Sequence, residues 1–266
     1  MGHAHPDLVD LVGRLIADGP KDRPPLIAVV GAQGCGKTTL ARAAAERFGA
    51  AQISLDDVYL TRAEREAMAR DVHPLFLTRG PPGTHELALL QRVIDALSTA
   101  GPDDETPLPA FDKRGDDRFP ADRWRRFRGR PSAILIDAWC LGALPGDEAG
   151  LAEPVNALER ERDPDGGWRR AVEGFVAGPY ADFAARFDAV LFLQAPSFDV
   201  VLDWRSQQEA DLLGVAPADL PPRERARIAG FIQYFERITR RMLAGGIQAS
   251  VTVKLDGNRQ PVAVDG

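Results

Sequence analysis

A glycine-rich loop contains the first residues whose types and spacing could do chemistry. Gly31, Gly36, Lys37 and Thr38 fit the pattern G-x-x-x-x-G-K-[ST]. Glycines let a backbone fold so that its N–H groups face phosphate oxygens, and the positive end of the following helix adds to this field. A lysine at this spacing reaches β- and γ-phosphates, and the next hydroxyl can ligate Mg²⁺. The loop therefore predicts a nucleoside triphosphate site rather than an ordinary turn.

The segments that flank this loop have the context that the motif requires. Leu26 to Val30 is an apolar, β-branched run typical of a buried parallel strand. Thr39 to Phe48 is an alanine-rich helical run that ends at Gly49, a suitable C-cap. Strand, loop and helix thus follow in the expected order. The residues predicted to contact the nucleotide phosphates are Gly31, Gln33, Gly34, Cys35, Gly36, Lys37, Thr38 and Thr39.

Acidic side chains follow two other strand-like runs. Asp56 and Asp57 follow Ala51 to Leu55, and Asp137 ends the run Ala133 to Asp137. Ligands of open parallel sheets lie beyond the carboxyl ends of strands, so we expect Asp56 to face the terminal phosphate of a bound triphosphate at about one strand spacing. Asp137 occupies the position at which P-loop proteins place the carboxylate that holds the water shell of the metal. With the loop threonine, it is the predicted Mg²⁺ site.

Asp56 is the candidate general base. A carboxylate at this strand end could accept the proton of a hydroxyl that attacks the γ-phosphate. The alternative is that Asp56 or Asp57 caps a helix beginning near Tyr59, and the two acids could also divide these roles.

Several cationic side chains are candidates for contacts with anionic groups. Arg79 lies in a loop rich in Gly and Pro, and Lys113 and Arg114 lie in a similarly irregular segment. Arg205, beside Trp204 on a helical run, is a candidate lid arginine for the charge of the transition state. The alternatives are weak surface ion pairs for the loop residues and a solvated helix position for Arg205.

Composition excludes several classes of protein. The chain has 266 residues, 44 % of them hydrophobic, and a net charge of −6, which argues against general nucleic-acid binding. No signal peptide and no run of about 18 apolar residues is visible, so no membrane contact is expected. Cys35 and Cys140 give neither a metal spacing nor a disulfide framework, and a cytoplasmic location is predicted.

Alternating strand-like and helix-like runs predict an α/β fold with a parallel sheet of the P-loop NTPase type, flanked by helices, in one domain over residues 1–266. Residues 101–132 and 144–167 are predicted to be irregular, Pro-rich insertions that form a substrate cap and lid. The other predicted elements are a helix over Asp7 to Ala17 capped by Asp7, a helix capped by Thr84, a helix over Arg169 to Arg186 interrupted at Gly178-Pro179, a strand over Ala189 to Leu193, a helix capped by Ser197, a helix over Arg223 to Leu243 with Arg240 and Arg241 solvated, and a strand pair over Val251 to Val264.

Two missing motifs narrow the reaction. Neither Asn156 nor Asn258 precedes a lysine, so the Asn-Lys-x-Asp element with which GTPases read guanine is not present. Asp137 is followed by Ala138 and Trp139, not by the glutamate with which motor and transporter ATPases activate water. Both observations favour a kinase of small molecules, which positions a substrate hydroxyl and excludes water.

Six sequence blocks then occur in a familiar order. They are QGCGKTTL (33–40), SLDDVYLT (54–61), RGPPGTHEL (79–87), LPAFDK–RGDDR (108–118), DAWCLG (137–142) and WRSQQE (204–209). Together they resemble the D-glycerate 3-kinase family, which belongs with phosphoribulokinase, uridine kinase and bacterial pantothenate kinase among the P-loop kinases. The resemblance extends from about Leu26 to about Glu209, which is most of the chain.

This resemblance implies a fold, a reaction and a set of acceptor residues. The implied reaction is phosphorylation of the 3-hydroxyl of D-glycerate with ATP and Mg²⁺. Asp56 matches the acid used as base in the related uridine and pantothenate kinases, and the RG-x-PGTH segment lines the acceptor side there. An anionic acceptor would account for the cationic side chains nearby. The residues predicted to contact the acceptor are Asp57, Tyr59, Arg79, His85, Asp112, Lys113 and Arg114.

Three departures from the family pattern keep other functions open. The third core strand ends in Asp137-Ala138-Trp139, where the family has Glu-Gly-Trp, the run Asp112 to Arg118 is shorter, and residues 144–167 differ. Because the last two lie on the acceptor side, a nucleoside, a pantothenate-like acid or a sugar acid is an alternative acceptor. The change at Asp137 motivates a third hypothesis, a nucleotide-binding regulatory protein without transfer activity.

Overall fold

A six-stranded sheet with helices on both faces organises the structure, a computed structural model that describes residues 4–266. The strands are β1 (Leu26–Gly31), β2 (Ala51–Ser54), β3 (Glu105–Leu108), β4 (Phe111–Asp112), β5 (Asp117–Arg118), β6 (Arg125–Arg128), β7 (Ile134–Ala138), β8 (Ala189–Gln194), β9 (Val251–Leu255) and β10 (Pro261–Asp265). The sheet has the order β10-β9-β8-β1-β7-β2, and every pairing in it is parallel except that of β9 with β10. The predicted P-loop α/β fold is confirmed.

The helices form the two outer layers. They are α1 (Pro6–Asp18), α2 (Lys37–Phe48), α3 (Arg62–Asp71), α4 (Leu87–Thr99), α5 (Glu148–Ala152), α6 (Ala157–Arg162), α7 (Gly167–Phe175), α8 (Ala181–Ala184), α9 (Val200–Leu213) and α10 (Pro222–Leu243). Of these, α4, α7 and α8 pack on one face, α1, α2 and α9 pack on the other, and α10 contributes to both cores. No helix in residues 4–266 has the length and apolarity needed to cross a bilayer.

The continuous apolar run of β1 is explained by its position in the middle of the sheet. Successive side chains of a strand point to opposite faces. Ala28 and Val30 therefore enter one core, and Ile27 and Val29 enter the other. All four are fully buried, so a polar residue at any of them would lie in an apolar layer. This rigid central strand fixes where the phosphate loop begins.

Three predicted helix caps are wrong. The side chain of His5, not that of Asp7, caps α1. Thr84 lies before the first residue of α4, and its hydroxyl bonds to the backbone of the preceding loop. Ser197 likewise closes the turn that leads into α9. Polar side chains can bond to backbone groups ahead of a helix as readily as they cap it, and residue type alone does not separate the two outcomes.

The two insertions are more regular than the sequence indicates. Residues 101–132 were expected to be irregular but form two antiparallel pairs, β3 with β6 and β4 with β5. Residues 144–167 include α5 and α6. Elements of two to six residues are too short to give a detectable hydrophobic period. The predicted interruption at Gly178-Pro179 is confirmed as a π-helical turn over Val176–Tyr180, and the strand pair at the end of the chain is confirmed as β9 and β10.

Arg241 on α10 is not solvated as predicted. Its guanidinium donates two hydrogen bonds to the buried carboxylate of Glu173, at 2.7 and 3.0 Å. Arg240 is half exposed and pairs with Glu236 one turn away. The difference arises because α7, which supplies Glu173, packs beside α10, and that neighbour is not visible in the local sequence.

Candidate active site

The phosphate loop joins β1 to α2 in a conformation that requires glycine. Gly34 and Gly36 have φ angles of +80° and +97°, in the left-handed region that side chains rarely adopt. A Cβ atom on Gly34 would also lie 2.7 Å from the Cβ of Trp204. No side chain caps α2, so the N–H groups of its first turn remain available to an anion. This arrangement is what phosphate binding by main-chain N–H groups needs.

The buried amide of Gln33 indicates that the loop is built around a polar ligand. Neither its Nε2 nor its Oε1 has a hydrogen-bond partner within residues 4–266, although both atoms are buried. Buried polar atoms are normally paired. Lys37 Nζ lies over the loop, 3.3 Å from the carbonyl oxygen of Ala32. The residues present therefore fit a triphosphate in this loop.

Asp137 is held at the end of β7 by three hydrogen bonds. Its carboxylate accepts from the hydroxyl of Thr38 at 2.7 Å, from the hydroxyl of Ser54 at 3.1 Å and from the amide of Gln52 at 2.6 Å. Burial raises its pKa, although these donors oppose the shift. Arg125 donates to both oxygens of Gln52, which turns the Gln52 amide nitrogen towards Asp137. The insertion strand β6 thus supports the predicted metal carboxylate.

The Thr38–Asp137 pair could hold Mg²⁺ through two oxygen ligands. Hydroxyl, carboxylate and water oxygens suit this ion, which usually keeps several waters in P-loop sites. Within the described part of the chain, no three His, Cys, Asp or Glu side chains form a metal-binding group. An Mg²⁺ ion at Asp137 would therefore take its other ligands from water and phosphate.

The phosphate loop and Asp56 follow strands that are not neighbours in the sheet. β7 lies between β1 and β2, so the two strand ends are two spacings, or about 10 Å, apart. Asp137 lies on the strand between them. The predicted spacing runs from Asp56 to the terminal phosphate of a bound triphosphate, and it stays a prediction. The candidate metal carboxylate therefore lies between the phosphate loop and the candidate base along this edge of the sheet.

The carboxylate of Asp56 is bound by two donors. Lys113 Nζ lies 2.6 Å from its Oδ2, and the hydroxyl of Tyr59 lies 2.7 Å from its Oδ1. Desolvation alone would raise the pKa of Asp56. The pKa is nevertheless held well below its usual range by the charge and hydrogen bond of Lys113, by the hydrogen bond from Tyr59 and by the charge of Lys37. Asp56 is therefore ionised at neutral pH.

Asp57 has a different position from its neighbour. Its carboxylate accepts from the backbone N–H of Ser54 at 3.2 Å, and the Ser54 hydroxyl accepts from the N–H of Asp56 at 3.3 Å. These bonds cap the short 3₁₀ turn Leu55–Val58. Burial raises the pKa of Asp57 to about 6. The two acids therefore have different roles. Asp57 caps the 3₁₀ turn, whereas the carboxylate of Asp56 contacts Lys113 and Tyr59 of the candidate site.

Lys113 reaches Asp56 from the tip of the β4–β5 hairpin. The hairpin is anchored by Asp116, whose carboxylate accepts from Arg79 and from the fully buried Arg65. Arg79, predicted to contact the acceptor, is thus already ion-paired. Asp112 accepts from the backbone N–H of Arg114 inside the same turn. The side chain of Arg114 is exposed.

We expect Arg65→Met to lower the free energy of unfolding by about 3–5 kcal/mol. The variant would leave the carbonyl oxygens of Leu60, Leu77 and Asp116 without this donor. Arg62 donates to the same Asp116 carboxylate but is half exposed, so Arg62→Met is expected to cost less than about 1 kcal/mol. Equilibrium unfolding in urea measures both values. Equal losses would contradict an anchor centred on Arg65.

Arg205 is mostly buried rather than solvated. Only 20 % of its side chain is exposed, and its Nε atom is buried without a partner in residues 4–266. Burial lowers its pKa, while the charges of Glu209 and Asp56 oppose the shift. Its ion pair with Glu209 is long, at 3.9 Å. A cationic group with an unused buried donor suits an anion at this place.

Two functional candidates were missed by sequence reasoning. Arg259, in the β9–β10 turn, donates to the carbonyl oxygen of Gly34 at 2.6 Å and stacks over Trp204. Tyr180 contacts His85, whose ring lies 4.7 Å from that of Tyr59. Burial lowers the pKa of His85 to about 4, so this histidine is neutral. No motif marks either residue, because each contacts a segment that is far away in the chain.

Comparisons with known proteins agree with this architecture. Neither a protein-family model nor a curated protein matches the sequence. D-glycerate 3-kinase from Cryptococcus neoformans var. grubii is similar over 97 % of this chain and 96 % of its own, with a TM-score of 0.73 and 21 % identity. The YGR205w protein is similar over 97 % of this chain and 95 % of its own, with a TM-score of 0.69 and 22 % identity. A protein of Silicibacter sp. TM1040 is similar over 92 % of this chain and 98 % of its own, with a TM-score of 0.58 and 19 % identity. The chain therefore has the fold of a P-loop kinase, and the resemblance found in the sequence is confirmed for the fold.

Proposed function

We propose that the protein is an ATP-dependent kinase that phosphorylates the 3-hydroxyl of D-glycerate to give 3-phosphoglycerate. The observation that carries this proposal is Asp56, an ionised carboxylate at the strand edge that also bears the Thr38–Asp137 pair. The fold shared with D-glycerate 3-kinase and the six sequence blocks support the choice of acceptor. We also propose that the chain is one kinase domain that acts in the cytoplasm, where cysteines such as Cys35 and Cys140, both free and buried, stay reduced.

The proposed chemistry is in-line phosphoryl transfer. The acceptor hydroxyl gives its proton to Asp56, and its oxygen forms a bond to the γ-phosphorus while the bond to the β–γ bridging oxygen breaks and ADP leaves. Lys37 and the loop N–H groups bind the phosphates, and Arg205 stabilises charge in the transition state. Thr38 and Asp137 would hold Mg²⁺, which neutralises phosphate charge when bound.

The acceptor side is proposed to recognise an anion. Lys113 now contacts Asp56, and the carboxylate of an acceptor could compete for this ammonium group. We propose that the β4–β5 hairpin, which carries Lys113, forms part of the substrate cap. Tyr59 and His85 lie on the same side as Lys113, and Arg79 becomes available only if it leaves Asp116. Asp57, Asp112 and Arg114 are the weaker members of the predicted acceptor set, because their contacts are local.

The decisive experiment is an acceptor screen with purified protein, ATP and Mg²⁺. We expect D-glycerate to be the best acceptor and its product to be 3-phosphoglycerate, identified by mass spectrometry and a coupled assay. Lys37→Ala is the inactive control. A nucleoside, a pantothenate-like acid or a sugar acid that reacts better would replace D-glycerate in this proposal. ATP binding without transfer to any acceptor would favour the regulatory alternative.

Lys113→Met is expected to make the reaction sensitive to acid. Without the ammonium group, only Tyr59 and Lys37 counteract the effect of desolvation, so the pKa of Asp56 rises. The base then becomes protonated at a higher pH than in the wild type. We therefore expect kcat/KM of the variant to begin to fall at a higher pH than that of the wild type when the solution is acidified. Lys254→Met removes an exposed lysine paired with Asp265 and serves as control. Parallel pH profiles for all three proteins would contradict the role of Lys113.

A further inference from the structure

The hydroxyl of Tyr180 has two contacts in a buried place. Tyr180 ends the π-helical turn after α7, and 3 % of its surface is exposed. Its oxygen accepts a hydrogen bond from the backbone N–H of Gly83 at 3.1 Å. The same oxygen lies 2.5 Å from Nδ1 of His85. Both contacts reach the loop between the 3₁₀ turn Pro74–Leu77 and α4, so this tyrosine connects the π-helical turn to the acceptor-side loop.

These contacts determine which nitrogen of His85 carries the proton. Burial raises the pKa of Tyr180 well above its ordinary value, so the hydroxyl keeps its hydrogen. Gly83 N–H can only donate, and within residues 4–266 the hydroxyl hydrogen has no acceptor other than Nδ1 of His85. Nδ1 must then accept, and a neutral imidazole whose Nδ1 accepts carries its hydrogen on Nε2.

The opposite tautomer would be disfavoured. With hydrogen on Nδ1, both Gly83 and His85 would donate to the same oxygen, and the hydroxyl hydrogen of Tyr180 would be buried without a partner. Leaving a buried donor unsatisfied costs more than an average hydrogen bond contributes. The structure therefore favours a single proton position on His85.

The Nε2–H that results has no partner of its own. Nε2 of His85 is buried and makes no hydrogen bond within the described residues. The imidazole lies against the ring of Tyr59, whose hydroxyl bonds to Asp56. A neutral donor beside the candidate base can bind an oxygen of an acceptor without adding charge to the site.

We propose that Tyr180 is a positioning residue that fixes His85 as the Nε2–H tautomer, so that this N–H donates to an oxygen of the acceptor. The contact with an acceptor rests on the proposed function, whereas the tautomer does not. Because an N–H donor pairs with a hydroxyl or carboxylate oxygen and not with an ammonium group, the pair selects oxygen-rich acceptors such as hydroxy acids.

Nitrogen NMR tests the tautomer directly and needs no turnover. The chain has four histidines, and His85→Gln assigns the signal of His85 in long-range ¹H–¹⁵N spectra. We expect wild-type His85 to show the Nε2–H pattern and Tyr180→Phe to show a mixture of both tautomers, because phenylalanine donates no hydrogen bond to Nδ1. An Nδ1–H pattern in the wild type, or an unchanged Nε2–H pattern in Tyr180→Phe, would overturn the proposal.

Kinetics then test the contact with the acceptor. Tyr180→Phe is expected to raise the acceptor KM about tenfold, the equivalent of one good hydrogen bond, with the ATP KM unchanged. Tyr234→Phe, at a tyrosine that packs against Trp168, is the matched control and should leave both values unchanged. In a His85→Gln background, which has no tautomer to fix, the Tyr180→Phe change should have little further effect on the acceptor KM.

The outcomes distinguish this proposal from the proposed function. If the wild type phosphorylates no acceptor but its His85 shows the Nε2–H pattern, the proposed function fails and the positioning role of Tyr180 stands. Equal increases of the acceptor and ATP KM values in Tyr180→Phe would indicate a structural effect and overturn the specific role. Thermal unfolding of each variant checks that the loss of the Gly83 contact has not unfolded the protein.

Discussion

Asp56→Asn is expected to lower kcat by a factor of about 10² to 10⁴, the usual contribution of a general base, while ATP binds as in the wild type. An amide has nearly the same shape as a carboxylate but does not take the proton of the attacking hydroxyl. The hydroxyl of Tyr59 could still donate to the remaining carbonyl oxygen, so the local packing is kept. Single-turnover phosphoryl transfer and calorimetric titration with ATP measure the two quantities separately.

Asp57→Asn is the matched control for this prediction. The two acids are adjacent and start from the same residue type, but Asp57 accepts from the backbone of Ser54. Asparagine also accepts such a capping bond, so we expect a small change in stability and a far smaller change in kcat than for Asp56→Asn. Similar losses in the two variants would mean that the strand end, and not the Asp56 carboxylate, is what transfer requires.

The sequence predicted the parts of the fold that depend on local properties. The phosphate loop needs glycines in the left-handed region and a lysine at a fixed spacing, and these residues lie within a few positions of one another in the sequence. The buried strands β1, β7 and β8 are apolar except for Asp137 near the end of β7 and Gln194 at the end of β8, because both of their faces are covered. Gly49 ends α2 in a left-handed conformation, as its residue type indicated. Each of these features is decided within about ten residues.

The order of the strands could not be predicted in the same way. Nothing in the run Ile134–Ala138 indicates that it enters the sheet between β1 and β2. This order is set by the lengths and packing of crossover connections, which involve the whole chain. As a result, Asp56 and Asp137 were predicted correctly as acids at strand ends, but the strand that separates Asp56 from the phosphate loop was not predicted.

The contacts of the candidate site join residues that are far apart in sequence. Arg259 and Gly34 are separated by 225 positions, and His85 and Tyr180 by 95. Arg79 was correctly placed in a loop rich in Gly and Pro, but its partner Asp116 is 37 positions away in a hairpin too short to predict. Residue types therefore identified which side chains could act, and only the packing of the chain determined which of them meet.

Arg205→Ala is expected to lower kcat by a factor of about 10² to 10³, as for loss of one preorganised donor to transition-state charge. The guanidinium is mostly buried near Asp56, its Nε is unpaired within residues 4–266, and its nearest carboxylate is at the long distance of 3.9 Å. These features suit a side chain kept for an anion that forms during transfer. Pre-steady-state measurements of phosphoryl transfer at saturating ATP and acceptor give the value.

Arg227→Ala separates this role from that of an ordinary ion pair. Arg227 contacts the same Glu209 carboxylate, at 3.0 Å, but lies on α10 and is half exposed. If Arg205 served only to neutralise Glu209, the two variants would have similar effects, and the closer partner Arg227 would matter more. We expect the opposite, with kcat nearly unchanged in Arg227→Ala, because an exposed pair contributes little. A larger loss in Arg227→Ala would assign the effect to Glu209 and remove Arg205 from the transition state.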